Sequence, residues 1–152
     1  MINLDWGTYI GYCYSLVLKV QESGFKPDVV VGIARGGLIP AQIIAYALKA
    51  PRVLSYGVSS YGDGKVSKEL RVYQDLTALD IFSVRNEKWL WVDDVCDSGK
   101  TVEYIRNVCS EKGIPNYQIG TVLIRNTTEP HVNYYGSIIP GDEWVNFPYD
   151  IC

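Results

Sequence analysis

Val92 to Thr101 reads VDDVCDSGKT: two adjacent aspartates after an apolar run, then a short polar turn. Upstream, residues 89–92 form a short strand; downstream, residues 101–112 place Val102, Ile105, Val108 and Cys109 on one side of a helix. Asp, Ser and Thr are the side chains that a helix N-cap uses, so the composition alone fits a strand followed by an ordinary helix start. The same geometry also makes an anion site, because the first N–H groups of a helix lack partners and lie at its positive end. Ser98 and Thr101 add hydroxyl donors. Asp93 and Asp94, side by side at the end of a buried strand, need a cationic or hydroxylic partner, and vicinal sugar hydroxyls or Mg²⁺ would serve. The Gly-Lys-Thr ending also occurs in nucleotide-triphosphate loops. That motif requires a glycine five residues before Gly99, and position 94 is aspartate.

A second strand–glycine–helix unit lies nearer the N-terminus. Val29, Val30, Val31 and Ile33 form a continuous β-branched run, the pattern of a strand covered on both faces. After Gly36 and Gly37, residues 38–50 (LIPAQIIAYALKA) read as a buried helix with apolar positions 38, 39, 43, 44 and 48, and Pro40 fits its first turn. Before this unit, Tyr9, Cys13, Leu16 and Val20 give residues 5–22 the spacing of an amphipathic helix, which Gly24 and Pro27 stop. Residues 53–60 predict a strand, 61–71 a mobile loop, and 117–124 another strand. Strands alternating with helices predict an α/β fold: an open, mostly parallel twisted sheet flanked by helices, in one domain spanning 1–152. Ligands of such sheets bind beyond the carboxyl ends of the strands, here residues 34–37, 59–68 and 93–101.

Composition narrows the function classes. At 152 residues, 47% hydrophobic, the chain suits one core. A net charge of -3 offers no general basic field, so no nucleic-acid partner is expected. The four cysteines form no C-x-x-C pair and there is one histidine, so neither a zinc cage nor a disulfide framework is predicted. The N-terminus has no basic leader, and no apolar run nears the roughly 18 residues of a membrane span. The expectation is a cytoplasmic protein with reduced thiols. His131, after Pro130, is expected at the surface without a role.

Hydrophobic-x-Asp-Asp-x-x-x-Ser-Gly-x-Thr in residues 91–101 resembles the phosphoribosyl pyrophosphate (PRPP) motif of type I phosphoribosyltransferases. Residues 30–48 (VVGIARGGLIPAQIIAYAL) are similar to that family's pyrophosphate loop and helix, and 58–74 (VSSYGDGKVSKELRVYQ) to its flexible loop. Residues 142–150 (DEWVNFPYD) resemble the purine-covering end of the bacterial xanthine-guanine branch. The resemblance spans residues 28–150 and implies a type I phosphoribosyltransferase fold with a small C-terminal base-covering hood.

The resemblance also implies roles. Asp93 and Asp94 would hold the ribose hydroxyls, with Asp94 toward Mg²⁺; Asp97, Ser98, Gly99, Lys100 and Thr101 would grip the 5′-phosphate, with Asp97 as general base. Arg35, Gly36, Gly37, Ser60 and Lys68 would take pyrophosphate, with an unusual peptide at Arg35–Gly36; Lys65 or Arg71 are alternatives to Lys68. Ser59, Ser60, Tyr61 and Lys68 would belong to a lid that excludes water. Trp144 would stack on the purine, Val145 and Asp150 would meet its C2 side, and Arg125 would donate to O6, where the family usually has lysine. Cys96, and Lys100 in place of a small residue, also depart from the pattern. The implied reaction is transfer of 5-phosphoribosyl from PRPP to guanine, xanthine or hypoxanthine by a homodimer or homotetramer. Two alternatives stand beside it: a transferase of the same fold for another nucleobase, and a non-catalytic PRPP sensor that binds nucleic acid.

Overall fold

In the computed structural model, which describes residues 1–61, 69–126 and 131–150, the most apolar runs form the middle of the sheet. Six strands lie in the order β4-β3-β2-β5-β6-β7. They are β2 (Val29–Ala34), β3 (Arg52–Tyr61), β4 (Glu69–Gln74), β5 (Trp89–Cys96), β6 (Tyr117–Arg125) and β7 (Tyr134–Ile139). All neighbours are parallel except β3 and β4. The central strands β2 and β5 put Val29, Val30, Val31, Trp89, Leu90, Trp91 and Val92 fully out of water, as continuous apolar runs require.

Helices cover both faces. α1 (Trp6–Ser23) buries the four predicted positions Tyr9, Cys13, Leu16 and Val20. Its start is fixed by Asp5, whose Oδ1 accepts the Thr8 N–H at 2.7 Å. α2 (Leu38–Leu48) follows β2, the single turn α3 (Ile81–Val84) precedes β5, and α4 (Lys100–Lys112) follows β5. Val102, Ile105, Val108 and Cys109 of α4 are buried as expected. α2 turns differently from its prediction: Pro40, Ala41, Ile44 and Ala45 form the buried face, and Leu38 stands exposed. Pro40, Ala41 and Ala45 let α2 lie close to the sheet beside Ile44; Ile39 and Ile43 are partly buried against a neighbouring core cluster, and Leu38 and Tyr46 turn outward.

Two further elements build a cap. β1 (Ile2–Asn3) and β8 (Val145–Asn146) pair in parallel as a separate two-stranded sheet, joining the two ends of the chain. Of the residues predicted as a loop over 61–71, Tyr61 ends β3 and residues 69–71 begin β4, while 62–68 lie outside the described residues. No helix among the described residues is long and apolar enough to cross a membrane.

Candidate active site

The carboxyl ends of β2, β5 and β6 open into a cleft of about 530 Å³. Arg35, Gly36, Asp94, Asp97, Arg125, Trp144, Val145 and Asp150, all predicted site residues, line it. Strand order explains the convergence: β2 and β6 flank β5, so the loop after β2, the acid turn after β5 and the last residue of β6 meet over one sheet edge.

Arg35, Gly36 and Gly37 form the tight turn between β2 and α2. The peptide between Ala34 and Arg35 is cis, one residue before the Arg35–Gly36 bond that the sequence resemblance pointed to. Glycine is required at both following positions by close approach. A Cβ on Gly36 would lie 2.0 Å from Asp94 Oδ2, and one on Gly37 would lie 2.3 Å from the Val92 carbonyl oxygen. The first turn and the acid pair are therefore packed against each other.

Within β5 the two aspartates are bonded differently. Asp93 Oδ1 accepts the Asp94 N–H at 2.9 Å, and Asp94 Oδ1 accepts the Val95 N–H at 2.7 Å. Burial raises both carboxyls above the usual carboxylate range, and the nearby Asp94 charge raises Asp93 further. Among the described residues no lysine or arginine forms an ion pair with either. Only Asp94 of the two lines the cleft. No group of three or more His, Cys, Asp or Glu converges as a metal cage among the described residues. The donor set therefore suits a hard cation that takes one or two carboxylates and finds its other oxygens on substrate and water, the usual habit of Mg²⁺.

Residues 97–101 turn from β5 into α4. Gly99 has φ +82°, a left-handed conformation that favours glycine, and Ser98 Oγ accepts from the Lys100 N–H at 3.4 Å. Asp97, Ser98 and Lys100 are exposed, Lys100 begins α4, and Thr101 lies in its first turn. His131 is exposed as expected, yet its ring stands against this turn: a Cβ on Gly99 would meet the imidazole at 3.0 Å. No sequence signal links the two positions, which are joined only by the fold.

The hood supplies the other wall. Trp144 is 70% exposed in the cleft and its Nε1 donates to Asn146 Oδ1 at 3.1 Å. The Phe147 and Tyr149 rings stack at 5.3 Å, and the Tyr149 hydroxyl donates to the Gly36 carbonyl at 3.4 Å. Burial, followed by the Asp94 charge, raises Tyr149 and keeps that donor protonated. Asp150 Oδ2 accepts the Phe147 N–H at 2.9 Å, closing the turn. Sequence reasoning quoted this segment but overlooked Phe147 and Tyr149, whose alternation around Pro148 was the available signal.

Arg125 ties the walls together. Its Nε lies 3.0 Å from Asp97 Oδ1, Nη1 donates to the Gly141 carbonyl at 3.0 Å and Nη2 to the Glu143 carbonyl at 2.8 Å. Gly141 and Glu143, also overlooked, precede Trp144. Lys65 and Lys68 lie outside the described residues, and Ser60 is described only as a backbone position of β3 opposite Leu70. Ser59 pairs with Arg71 across the β3–β4 register, and neither lines the cleft.

Comparison with known proteins agrees with this geometry. The model of the phosphoribosyl transferase domain matches residues 12–151. The chain belongs to that family, with the type I fold, and is a transferase. Xanthine-guanine phosphoribosyltransferase of Roseobacter denitrificans is 37% identical over 146 residues, covering 91% of this chain and 80% of that protein. The enzyme of the same name from Desulfotalea psychrophila is 32% identical over 121 residues, 80% of this chain and 69% of that one. Among solved structures, the purine phosphoribosyltransferase of Pyrococcus horikoshii superposes with a TM-score of 0.75 at 27% identity, covering 99% of this chain and 95% of that one.

Proposed function

We propose that this protein is a purine salvage enzyme that transfers 5-phosphoribosyl from PRPP to guanine, xanthine or hypoxanthine, giving the nucleoside monophosphate and pyrophosphate. The observation that carries the reading is that Arg35, Asp94, Asp97, Arg125 and Trp144 line one cleft, with Arg125 Nε 3.0 Å from Asp97 Oδ1. A sugar-phosphate site and a flat-ring site thus share one space.

In the reaction a ring nitrogen of the base bonds to C1 of the ribose, the C1–O bond to pyrophosphate breaks, and its electron pair leaves with pyrophosphate. Asp97 takes the proton that the base gives up from N7. The carboxylates of Asp93 and Asp94 hold the ribose hydroxyls and favour the positive charge that builds on the sugar. The Arg35 guanidinium and the N–H groups of Gly36 and Gly37 receive the leaving group, while 97–101 fix the 5′-phosphate. Mg²⁺, held by Asp94 and by substrate oxygens, would supply charge neutralisation at pyrophosphate. Ser60 and Lys68 complete the pyrophosphate side. Trp144 stacks on the purine, Val145 and Asp150 meet its C2 edge, and the Arg125 guanidinium donates to O6.

The protein acts in the cytoplasm as a homodimer or homotetramer. A transfer assay with PRPP and Mg²⁺ over guanine, xanthine, hypoxanthine, adenine and uracil tests the reading: turnover confined to the 6-oxopurines supports it, and turnover with uracil alone sinks it.

A further inference from the structure

Six large apolar side chains on two neighbouring helices stand in solvent, and none of them lines the cleft. Trp6, Ile10, Tyr14 and Leu18 recur every four residues along α1, and Leu38 and Tyr46 lie on α2, with exposures from 37% at Ile10 to 77% at Tyr46. On a helix of 3.6 residues per turn the α1 set spans an arc of roughly 120°. The two helices share one core cluster, Leu16, Val17 and Val20 of α1 packing with Ala41, Ile44 and Ala45 of α2, so their outer faces adjoin.

The size of this face is that of an interface. Aromatic side chains offer roughly 150–250 Å² each; weighted by exposure, the three aromatic and three aliphatic side chains leave on the order of 600 Å² of apolar surface in water. The largest patch on an ordinary monomer is about 300–600 Å². A standard interface takes about 800 Å² from each partner, about 60% of it apolar, or on the order of 500 Å².

Charge and backbone point the same way. Over both helices the only charged residues are Lys19 and Glu22. Lys19 is turned elsewhere, its Nζ 2.6 Å from the Tyr135 carbonyl oxygen and 3.8 Å from the centre of that ring. A lipid surface selects a lysine- and arginine-flanked helix, and this one lacks that flank. A face with almost no charge is compatible with its own image, as a two-fold contact demands. The helix also carries glycines that the chain itself does not need. A Cβ on Gly11 would meet nothing within 4 Å, and one on Gly7 only Asp5 Oδ1 at 3.5 Å. Glycine inside an exposed helix lowers its stability, and close approach of another backbone is the return for it.

The geometry points to the α1–α2 face as the docking surface for a second copy of this chain, α1 packing on α1 about a two-fold axis near Gly11 and Tyr14. The inference rests on the oligomeric reading above and adds the surface. Trp6 lies 6.2 Å, ring to ring, from Tyr149, so the contact would also brace the cleft edge.

Light scattering and sedimentation of the full chain, with Tyr14→Glu and Gly11→Leu beside it, test this. The wild type should exceed the 17.1 kDa chain mass by a factor of two or four. Both variants should raise the dissociation constant at least tenfold or halve the assembly, with the wild-type far-UV spectrum retained; Gly11→Leu guards against misfolding, since its helix propensity improves. Wild type monomeric at 100 µM would overturn both the surface and the oligomeric reading. An assembly that both variants leave intact would overturn the surface alone, as would a monomer that sediments with anionic lipid vesicles.

Discussion

Arg125 Nε sits 3.0 Å from Oδ1 of Asp97, so the cation assigned to the base and the carboxylate assigned to its proton hold each other. The side chain of Arg125 is 13% exposed and that of Asp97 71%, so the guanidinium is the fixed member and the carboxylate the movable one. With Nη1 and Nη2 on the carbonyls of Gly141 and Glu143, the same guanidinium also fixes the loop that carries Trp144. A lysine has one nitrogen and cannot make all three contacts.

Arg125→Lys is therefore expected to raise the KM for the base about 10- to 100-fold, the loss of one or two charge-assisted hydrogen bonds, with a smaller effect on the KM for PRPP. Steady-state kinetics with each substrate varied in turn checks this. A base KM equal to wild type would show that neither the O6 contact nor the loop depends on the fork.

Gly36→Ala should fail at the pyrophosphate side. Its Cβ would fall 2.0 Å from Asp94 Oδ2, so either the turn or the carboxylate must move. Overpacking of this kind costs about 1–3 kcal/mol. The melting temperature should drop, and kcat/KM for PRPP should fall by about two orders of magnitude or more, since catalytic geometry is less tolerant than stability. Wild-type kinetics in this variant would separate Gly36 from the site.

Stability should depend on the acid pair with a definite sign. Burial raises both carboxyls above their usual 3.8, so the folded protein binds protons more tightly than the unfolded chain. That contribution is fully present below the unfolded value and is lost as pH rises through the folded values. Asp94→Asn removes one charge from the pair, and without ligand its melting temperature at pH 7 should equal or exceed wild type, the gap closing toward pH 4. A variant less stable at pH 7 than at pH 4, relative to wild type, contradicts this. Activity should be lost in the same variant.

Cys13 and Cys109 are buried, and burial pushes their thiols up to about 11 and about 12. Little thiolate is available at neutral pH. Native protein treated with a thiol-specific disulfide reagent at pH 7.5 should leave both unmodified until denaturant is added, as peptide mapping would read. Rapid native labelling of either would refute the buried assignment.

The sheet centre was legible because a strand buried on both faces must be a continuous apolar run, as at 29–33 and 89–92. The edges were not. β4 is exposed along nearly its whole length, so Glu69 and Arg71 made it read as loop, although charge is what protects an edge strand. β7 was not read at all; its Gly136 answers to a distant contact, since a Cβ there would lie 2.4 Å from the Tyr12 carbonyl oxygen and 2.6 Å from that of Val122. The pairing of Ile2 with Val145 leaves no local trace at all. In the cleft, residues set by short motifs, Arg35, Asp94 and Asp97, were readable. The contacts of Arg125 with Gly141 and Glu143 were not, because they depend on where the hood comes to rest.

The central claim is transfer of a ribosyl phosphate to a purine with Asp97 taking the base proton, and its most direct test is pyrophosphate release by wild type and Asp97→Ala in the presence of Mg²⁺, PRPP and each free base. The account predicts release by wild type with guanine, xanthine or hypoxanthine, and release slowed about 10²- to 10⁴-fold in Asp97→Ala while PRPP still binds. No release with any base, or undiminished release from Asp97→Ala, would contradict it.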